Sequence, residues 1–532
     1  MTNFISSNLS FKKTTLLPQI VLDFFVGKLK NIQTPIDDLE QVFEKINSKK
    51  FPLENRNVLA NVLLEQYEEI NDQRKNELIL QLKDENTFTI CTAHQPNIFT
   101  GYLYFIYKII HVIKLAKELN SKKSKFNFIP IFYIGSEDHD VDEIGTFFFD
   151  EKKFQWKPKK NGACGEMTLE NLQDIKTEII KMLNPNDANQ LEIINNIKLA
   201  YSAENTLAKA TRLFVNALFE NTDLLILDAN NTKLKKLFTP IIKDELFNQN
   251  SLGLVKKMLE GELKNYKIQA YPREINLFYL KENLRERIVF ENEKWKINHT
   301  NIEFSALEIE AELENFPERF SPNVILRPLY QETILPNVIQ VGGSSEIAYW
   351  LQLKEVFDFY NVDFPNLILR QSVLFLNNKS IRKIEKSRLD LYDFFNSIDE
   401  LLEKKVQDNT DLVSLKNQLN TLEEEYNKII SSLNFISPNL TISLQAQLAK
   451  IKKLHNRIEL KTKAHLKKND EDLINDMQRI KKEIFPNGIF QERILNFIAL
   501  QQQFPDINII KFLLEKMNIS GKELQLISEV KD

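Results

Sequence analysis

The stretch TFTICTAHQPNIFTGYLYFIYKIIHVIKLAKEL, residues 87–119, followed by FIPIFYIGSEDHD, residues 128–140, decides the fold. The run from Thr87 to Thr92 is dominated by β-branched and aromatic side chains, the composition of a strand. A polar loop from Ala93 to Gly101 follows. Apolar residues then recur at Ile106, Ile109, Ile110, Ile113 and Ala116, a spacing near 3.6 that predicts a helix. Residues 120–125 break the pattern, and Phe128 to Gly135 is an apolar run of strand length, consistent with burial on both sheet faces. Strand, loop, helix and strand form a βαβ unit, which implies a parallel pair.

Working outward, the first 85 residues read mainly as helix, with apolar positions at Leu59, Val62, Leu63, Leu78 and Leu82. Residues 151–204 interrupt the alternation with a polar stretch and irregular helical segments. It resumes with a helix near residues 204–220 and a strand, LLILDA, at 224–229. Further strand candidates are Ile275 to Leu280, Val324 to Leu326, Val338 to Val341 and Leu367 to Leu376. The fold class is α/β: an open parallel sheet carrying inserted segments.

Beyond about residue 379 the period changes. Leu412, Leu415, Leu419, Leu422, Tyr426, Ile429 and Leu433 alternate three and four apart, a heptad seam. After Ser437-Pro438-Asn439 the seam returns at Leu444, Leu448, Ile451, His455, Ile458, Thr462 and His465, then at Leu473, Met477, Ile480 and Ile484. Two long heptad helices joined by a Pro-containing turn predict an antiparallel coiled coil. The basic stretch on its second helix, including Lys450, Lys453, Arg457 and Lys461, reads first as a solvated face, and His455 and His465 read as polar residues that set register.

Composition narrows the function. The 532 residues carry 70 basic and 74 acidic side chains, a net charge of −4 that does not fit a dedicated nucleic-acid binder. Twelve Gly are too few for collagen-like or flexible-linker architectures. Cys91 and Cys164 stand in no metal-binding or redox spacing, so a reducing cytoplasm is expected. The N-terminus lacks a signal-peptide pattern and no apolar run approaches a membrane span, so no membrane partner is expected.

Three clusters could carry chemistry. Ser136-Glu137-Asp138-His139-Asp140, with Asp142 and Glu143 behind, follows the buried second strand, and carboxyl ends of strands face the ligand crevice in open α/β sheets. These groups could hold an ammonium, act as a base, or ligate a metal; a solvated helix start reads from the same residues. The loop with His94, Gln95, Asn97, Thr100 and Gly101 leads into a helix N-terminus, where amides favour an anion, or where the loop is simply a cap. It is no phosphate loop, since GxxxxGK[ST] and GxGxxG are absent. The third cluster, Gly342-Gly343-Ser344-Ser345-Glu346 with Tyr349, combines two Gly in a Gly-poor chain with a Ser pair able to cap a helix. Arg327 with Gln331, and Arg273 with Asn276 after Tyr271-Pro272, supply guanidinium forks for carboxylates or surface ion pairs.

The run TAHQPNIFTGYLYFIYKIIHVIKLAKEL (92–119), IPIFYIGSEDHDVDEI (129–144), YPREINLFYL (271–280), RPLYQETILPNVIQVGGSSEIAYWLQLKEVF (327–357) and FPNGIFQER (485–493) together resemble the cysteine ligase family of bacillithiol biosynthesis, the BshC family. Where relatives often read TGQQ, this chain has Thr92-Ala93-His94-Gln95, and Tyr102 stands where a Pro is common.

The resemblance implies a Rossmann-like core with connecting-peptide insertions and a coiled coil used for homodimerisation. The expected organisation is 1–150 as the first part of the core, 151–204 as an inserted segment, and 205–378 as the second part with a small insertion near 286–320. The coiled coil would span 379–485, and a helical tail packing on the core 486–532. The implied reaction joins L-cysteine to the amino group of glucosaminyl malate. Forming that amide needs an activated carboxyl, which makes ATP with magnesium the expected nucleotide, and a base for the ammonium proton. Glu137, Asp138, His139 and Asp140 are the catalytic candidates. The substrate-binding candidates are His94, Gln95, Asn97, Thr100, Gly101, Arg273, Asn276, Arg327, Gln331, Gly342, Gly343, Ser344, Glu346 and Tyr349, with no resident metal. Two rival readings are a metal-dependent hydrolase of a sugar or amide and a coiled-coil interaction scaffold.

Overall fold

Thr87–His94 (β1) and Asn127–Ile134 (β2) pair in parallel, with Thr87 opposite Asn127 and His94 opposite Ile134. Leu225–Asp228 (β3) joins the far side of β2, while Asn337–Gly342 (β4) and Asn366–Leu369 (β5) add beyond β1. The order β3-β2-β1-β4-β5, parallel throughout, is the Rossmann arrangement, in which strand order reverses between β1 and β4. The computed structural model describes residues 3–47, 49–122, 124–149, 152–407, 410–434, 438–469 and 471–530.

The crossover from β1 to β2 is Leu103–Ser121 (α1), with Ile106, Ile109 and Ile110 fully buried. At about 2 kcal/mol for each such aliphatic side chain, this face anchors the helix to the sheet. Arg327–Ile334 (α2) precedes β4 and Ser344–Leu351 (α3) follows it.

Several expectations need correction. Ile275 to Leu280 does not extend the parallel sheet. Leu277–Lys281 sits in a separate antiparallel sheet with Leu284–Glu291, Lys294–Ile297, Glu303–Phe304 and Phe320–Pro322. The insertion is therefore larger than 286–320. Its cause is local: Asn292 and Glu293 both have positive φ, forming a two-residue hairpin turn that no parallel connection could use. Val324 to Leu326 is a turn into α2, pinned by Asn323 Oδ1, which accepts from the Ile325 amide at 2.8 Å. Leu367 to Leu376 breaks at Arg370-Gln371 into two strands. The chain opens with a strand, Asn3–Ser10, before its helices. The tail is not wholly helical: Phe497–Gln503 and Ile509–Lys516 are followed by the strand Glu523–Val530. Between the last helix and that strand, Gly521, at φ 63°, runs against the Leu369 carbonyl where a side chain would not fit.

Residues 6–374 and 491–526 form one compact unit, and 375–490 form the bulk of a second. The second unit holds Thr410–Asn434 (α4) and Pro438–Asn469 (α5), followed by Glu471–Ile484. Ile430 and Leu448 are buried, and Lys452 pairs with Glu423 across the two helices at 2.9 Å. Leu419, Tyr426, Leu433, Leu444, Ile451 and His455 are half-buried along the seam, whereas Leu422, Ile429, Leu454 and Ile458 are exposed. The side chains of Leu412, Leu415 and His465, and Ser437 of the turn, lie outside the described residues.

Candidate functional site

The C-terminal ends of β1, β2 and β4 open into a cavity of about 760 Å³ at the point where strand order reverses. His94, the last residue of β1, lines it. Its ring packs between Tyr104 and Phe105 at centroid distances of 5.3 Å, and Nδ1 lies 3.1 Å from the Gln95 carbonyl. Burial, aided by the charge of Lys108, pushes the imidazole down to about 4. The ring is neutral near pH 7 and cannot serve as a counter-ion for phosphate.

Gln95 braces the acidic loop, donating to Asp138 Oδ2 at 2.8 Å and to Glu143 Oε2 at 3.3 Å. Asn97, Thr100 and Gly101 lie behind the cavity. Phe99, Thr100 and Gly101 all have positive φ, and a Cβ at Gly101 would stand 2.9 Å from that of Asn97. Asn496 fixes this strained turn by donating to the carbonyls of Phe99, at 2.9 Å, and Gly101, while Tyr201 accepts from the Phe99 amide at 2.8 Å.

The acidic loop follows β2, and its groups have different environments. Glu137 is nearly buried and ion-paired to the fully buried Lys235, which also donates to the Phe320 carbonyl at 2.9 Å. Burial alone would raise Asp138. The His139 ring 3.6 Å away, hydrogen bonds from Gln95 and the His139 amide, and the nearby charge of Arg285 instead hold its carboxyl well below the usual carboxylate range. Asp140 accepts from the Glu143 amide at 3.1 Å, capping the short helix Val141–Ile144, and faces a shallow outer depression. Glu143 lines the main cavity, and burial together with the charges of Asp140 and Asp138 raises its carboxyl.

On the other side of the cavity Arg327, at the start of α2, donates to the Tyr349 hydroxyl at 2.7 Å and to Gln331 Oε1 at 3.2 Å. Gln331 is buried behind it, donating to Glu332 and to Gln340. Gly342 lies under α3, a Cβ there meeting that of Glu346 at 3.0 Å. The Gly343 amide, expected to hold an anion, already donates to Glu346 Oε2 at 2.6 Å. That carboxylate also pairs at 2.6 Å with buried Lys108 of α1. Ser344 and Tyr349 line the cavity, with Arg493 Nη2 3.3 Å from Ser344 Oγ. Arg273 stands exposed at the rim. Asn276 lies beneath it, fully buried, bonding Glu245, Ser251 and the Arg273 carbonyl.

The structure thus gathers His94, Gln95, Glu137, Asp138, His139, Arg273, Arg327, Gly343, Ser344, Glu346 and Tyr349 around one cavity. Asn97, Thr100, Gly101, Asn276, Gln331 and Gly342 support it from behind, and Asp140 faces away. Sequence reading missed Lys108, Arg285, Arg287, Arg370 and Arg493, which also line it. Lys108 had a signal, as a lone charge inside the apolar run of α1. Arg285 and Arg287 had none, because their sheet was not anticipated. Among the described residues, no group of three or more His, Cys, Asp or Glu side chains has a metal-binding arrangement.

Residues 21–371 match the N-terminal Rossmann-like domain of the bacillithiol biosynthesis family BshC, and residues 373–529 match its C-terminal coiled-coil domain. The chain belongs to the BshC family. Relatives carrying that family name include one from Flavobacterium johnsoniae, 38% identical over 96% of this chain and 97% of its own. Another, from Flavobacterium psychrophilum, is 37% identical over 92% of this chain and 93% of its own. One from Christiangramia forsetii is 33% identical over 96% of both chains.

Proposed function

We propose that this family member joins L-cysteine to the amino group of glucosaminyl malate as the last step of bacillithiol synthesis, in the cytoplasm. The observation that carries the reading is the polarity of the cavity. An acidic side, Asp138 and Glu143, suits an ammonium, and the guanidinium groups of Arg273, Arg287 and Arg327 suit the carboxylates of a malate. The relatives, which are named for cysteine ligation, support the same chemistry.

In this scheme Asp138, held ionised, attracts and orients the attacking ammonium, for which a strongly acidic carboxyl is well suited and proton abstraction is not. Glu143, whose carboxyl is raised above its ordinary value, takes the ammonium proton. Glu137 is a structural anchor through Lys235. Arg273 and Arg327 hold malate carboxylates, and neutral His94, whose Nδ1–H is engaged by the Gln95 carbonyl, presents Nε2 as a hydrogen-bond acceptor to a substrate group. ATP with magnesium would supply the activation of the cysteine carboxyl. Arg493 and Ser344 are the groups at the α3 end able to meet its phosphates, since the Gly343 amide is engaged. The coiled coil joins two copies, for which exposed Leu422, Ile429, Leu454 and Ile458 provide apolar surface.

Incubating the protein with both substrates, with and without ATP and magnesium, tests the reading by mass spectrometry. Amide product formed only with nucleotide supports it, and no product from folded protein under either condition overturns it.

A further inference from the structure

Arg285 is carried by the inserted antiparallel sheet, yet it reaches the acidic loop after β2. Its guanidinium lies 3.8 Å from the centroid of the Phe278 ring, and Nη1 stands 2.6 Å from His139 Nδ1. A guanidinium has only donors. At that distance Nδ1 must accept, so it carries no proton, and the single proton of the neutral ring sits on Nε2. The competing arrangement, Nδ1–H donating to Asp138, is not made: Oδ1 is 3.6 Å away and instead accepts from the His139 backbone amide at 2.7 Å. The ring lies beside Phe278, at a centroid distance of 5.8 Å, and lines the main cavity. Among the described residues, Nε2 has no hydrogen-bond partner.

We propose that Arg285 is a positioning residue that sets the tautomer of His139, so that Nε2–H is offered as a hydrogen-bond donor to a substrate oxygen. The assignment rests on the cavity being the site of amide formation, where the carbonyl oxygen of the activated acyl group gains negative charge during attack. His139 is then a donor to that oxygen and not the base for the ammonium, because the only free ring nitrogen already holds a proton.

The test is nitrogen NMR on the full chain labelled at histidine. The chain has six His, and loss of signals in His139→Gln assigns the ring. The expected spectrum has His139 Nδ1 in the unprotonated range and Nε2 in the protonated range. Arg285→Met is expected to move both signals toward the average of a tautomer mixture, and Arg285→Lys, which retains a donor, to restore part of the shift. Protonated Nδ1 in the wild-type protein, or an unchanged pattern in Arg285→Met, overturns the proposal. Should Arg285→Met fail to fold, the wild-type spectrum and Arg285→Lys still decide it. No substrate is present, so failure here is separate from failure to form product.

Discussion

At the scale of single residues, two carboxylates five positions apart along the chain are driven in opposite directions by their surroundings. Asp138 accepts from the Gln95 side chain and the His139 amide near Arg285, whereas Glu143 stands exposed at the cavity beside other carboxylates. Glu143→Gln should therefore lower kcat by about 10²–10⁴-fold, the usual worth of a general base. The acid limb of the wild-type pH profile should lie above the ordinary glutamate range and should vanish in the variant; a retained limb would remove Glu143 from the scheme. Asp138→Asn should mainly raise KM for the amine substrate, which steady-state kinetics will show. Glu332, a carboxyl buried away from the cavity, is pushed up to about 7 by burial. Its folded-state value exceeds the unfolded one, so its contribution to stability is full below the unfolded value and lost as pH rises to about 7. Glu332→Gln should remove that slope, a difference on the order of 2–3 kcal/mol between pH 5 and pH 8 in denaturant unfolding.

At the scale of elements, the loop after β5 and the tail are joined by Arg370 and Glu492, both almost fully buried, with Arg370 Nη1 2.8 Å from Glu492 Oε2. Removing one partner strands a charge away from water. Glu492→Gln should cost about 3–5 kcal/mol, read as a lowered midpoint of thermal unfolding. Replacing both partners by apolar residues should cost far less. The elements also show what was legible in the sequence. The strand–helix–strand from Thr87 to Ile134 was readable because its periods are unmixed and its apolar runs long. The antiparallel sheet from Leu277 to Pro322 was not, because LRERIVFE alternates weakly and its turn, Asn292-Glu293, contains no Gly to mark positive φ. The site followed the same division. Candidates at the ends of the parallel strands line the cavity, whereas Arg285 and Arg287, which line it too, were missed with their sheet. Asn97, Asn276 and Gln331 read as substrate-binding candidates but lie beneath the cavity and do not line it, a distinction of depth that one sequence does not encode.

At the scale of the whole molecule, a Rossmann-like domain supplies the cavity and a coiled-coil domain completes the family's architecture. Among the described residues, no helix is long and apolar enough to cross a membrane. The proposed dimer predicts that Leu422→Lys combined with Ile458→Lys yields monomers by light scattering while the helical signal persists. Dimers of unchanged affinity would assign self-association to another surface. In the proposed reaction the polar cavity at the β1–β4 switch point forms an amide between cysteine and glucosaminyl malate. Mass spectrometry of that reaction, with and without ATP and magnesium, addresses it most directly. The expected product is heavier than glucosaminyl malate by one cysteinyl residue, formed only with nucleotide and lost in Glu143→Gln. Folded protein that forms no such product under either condition would contradict it.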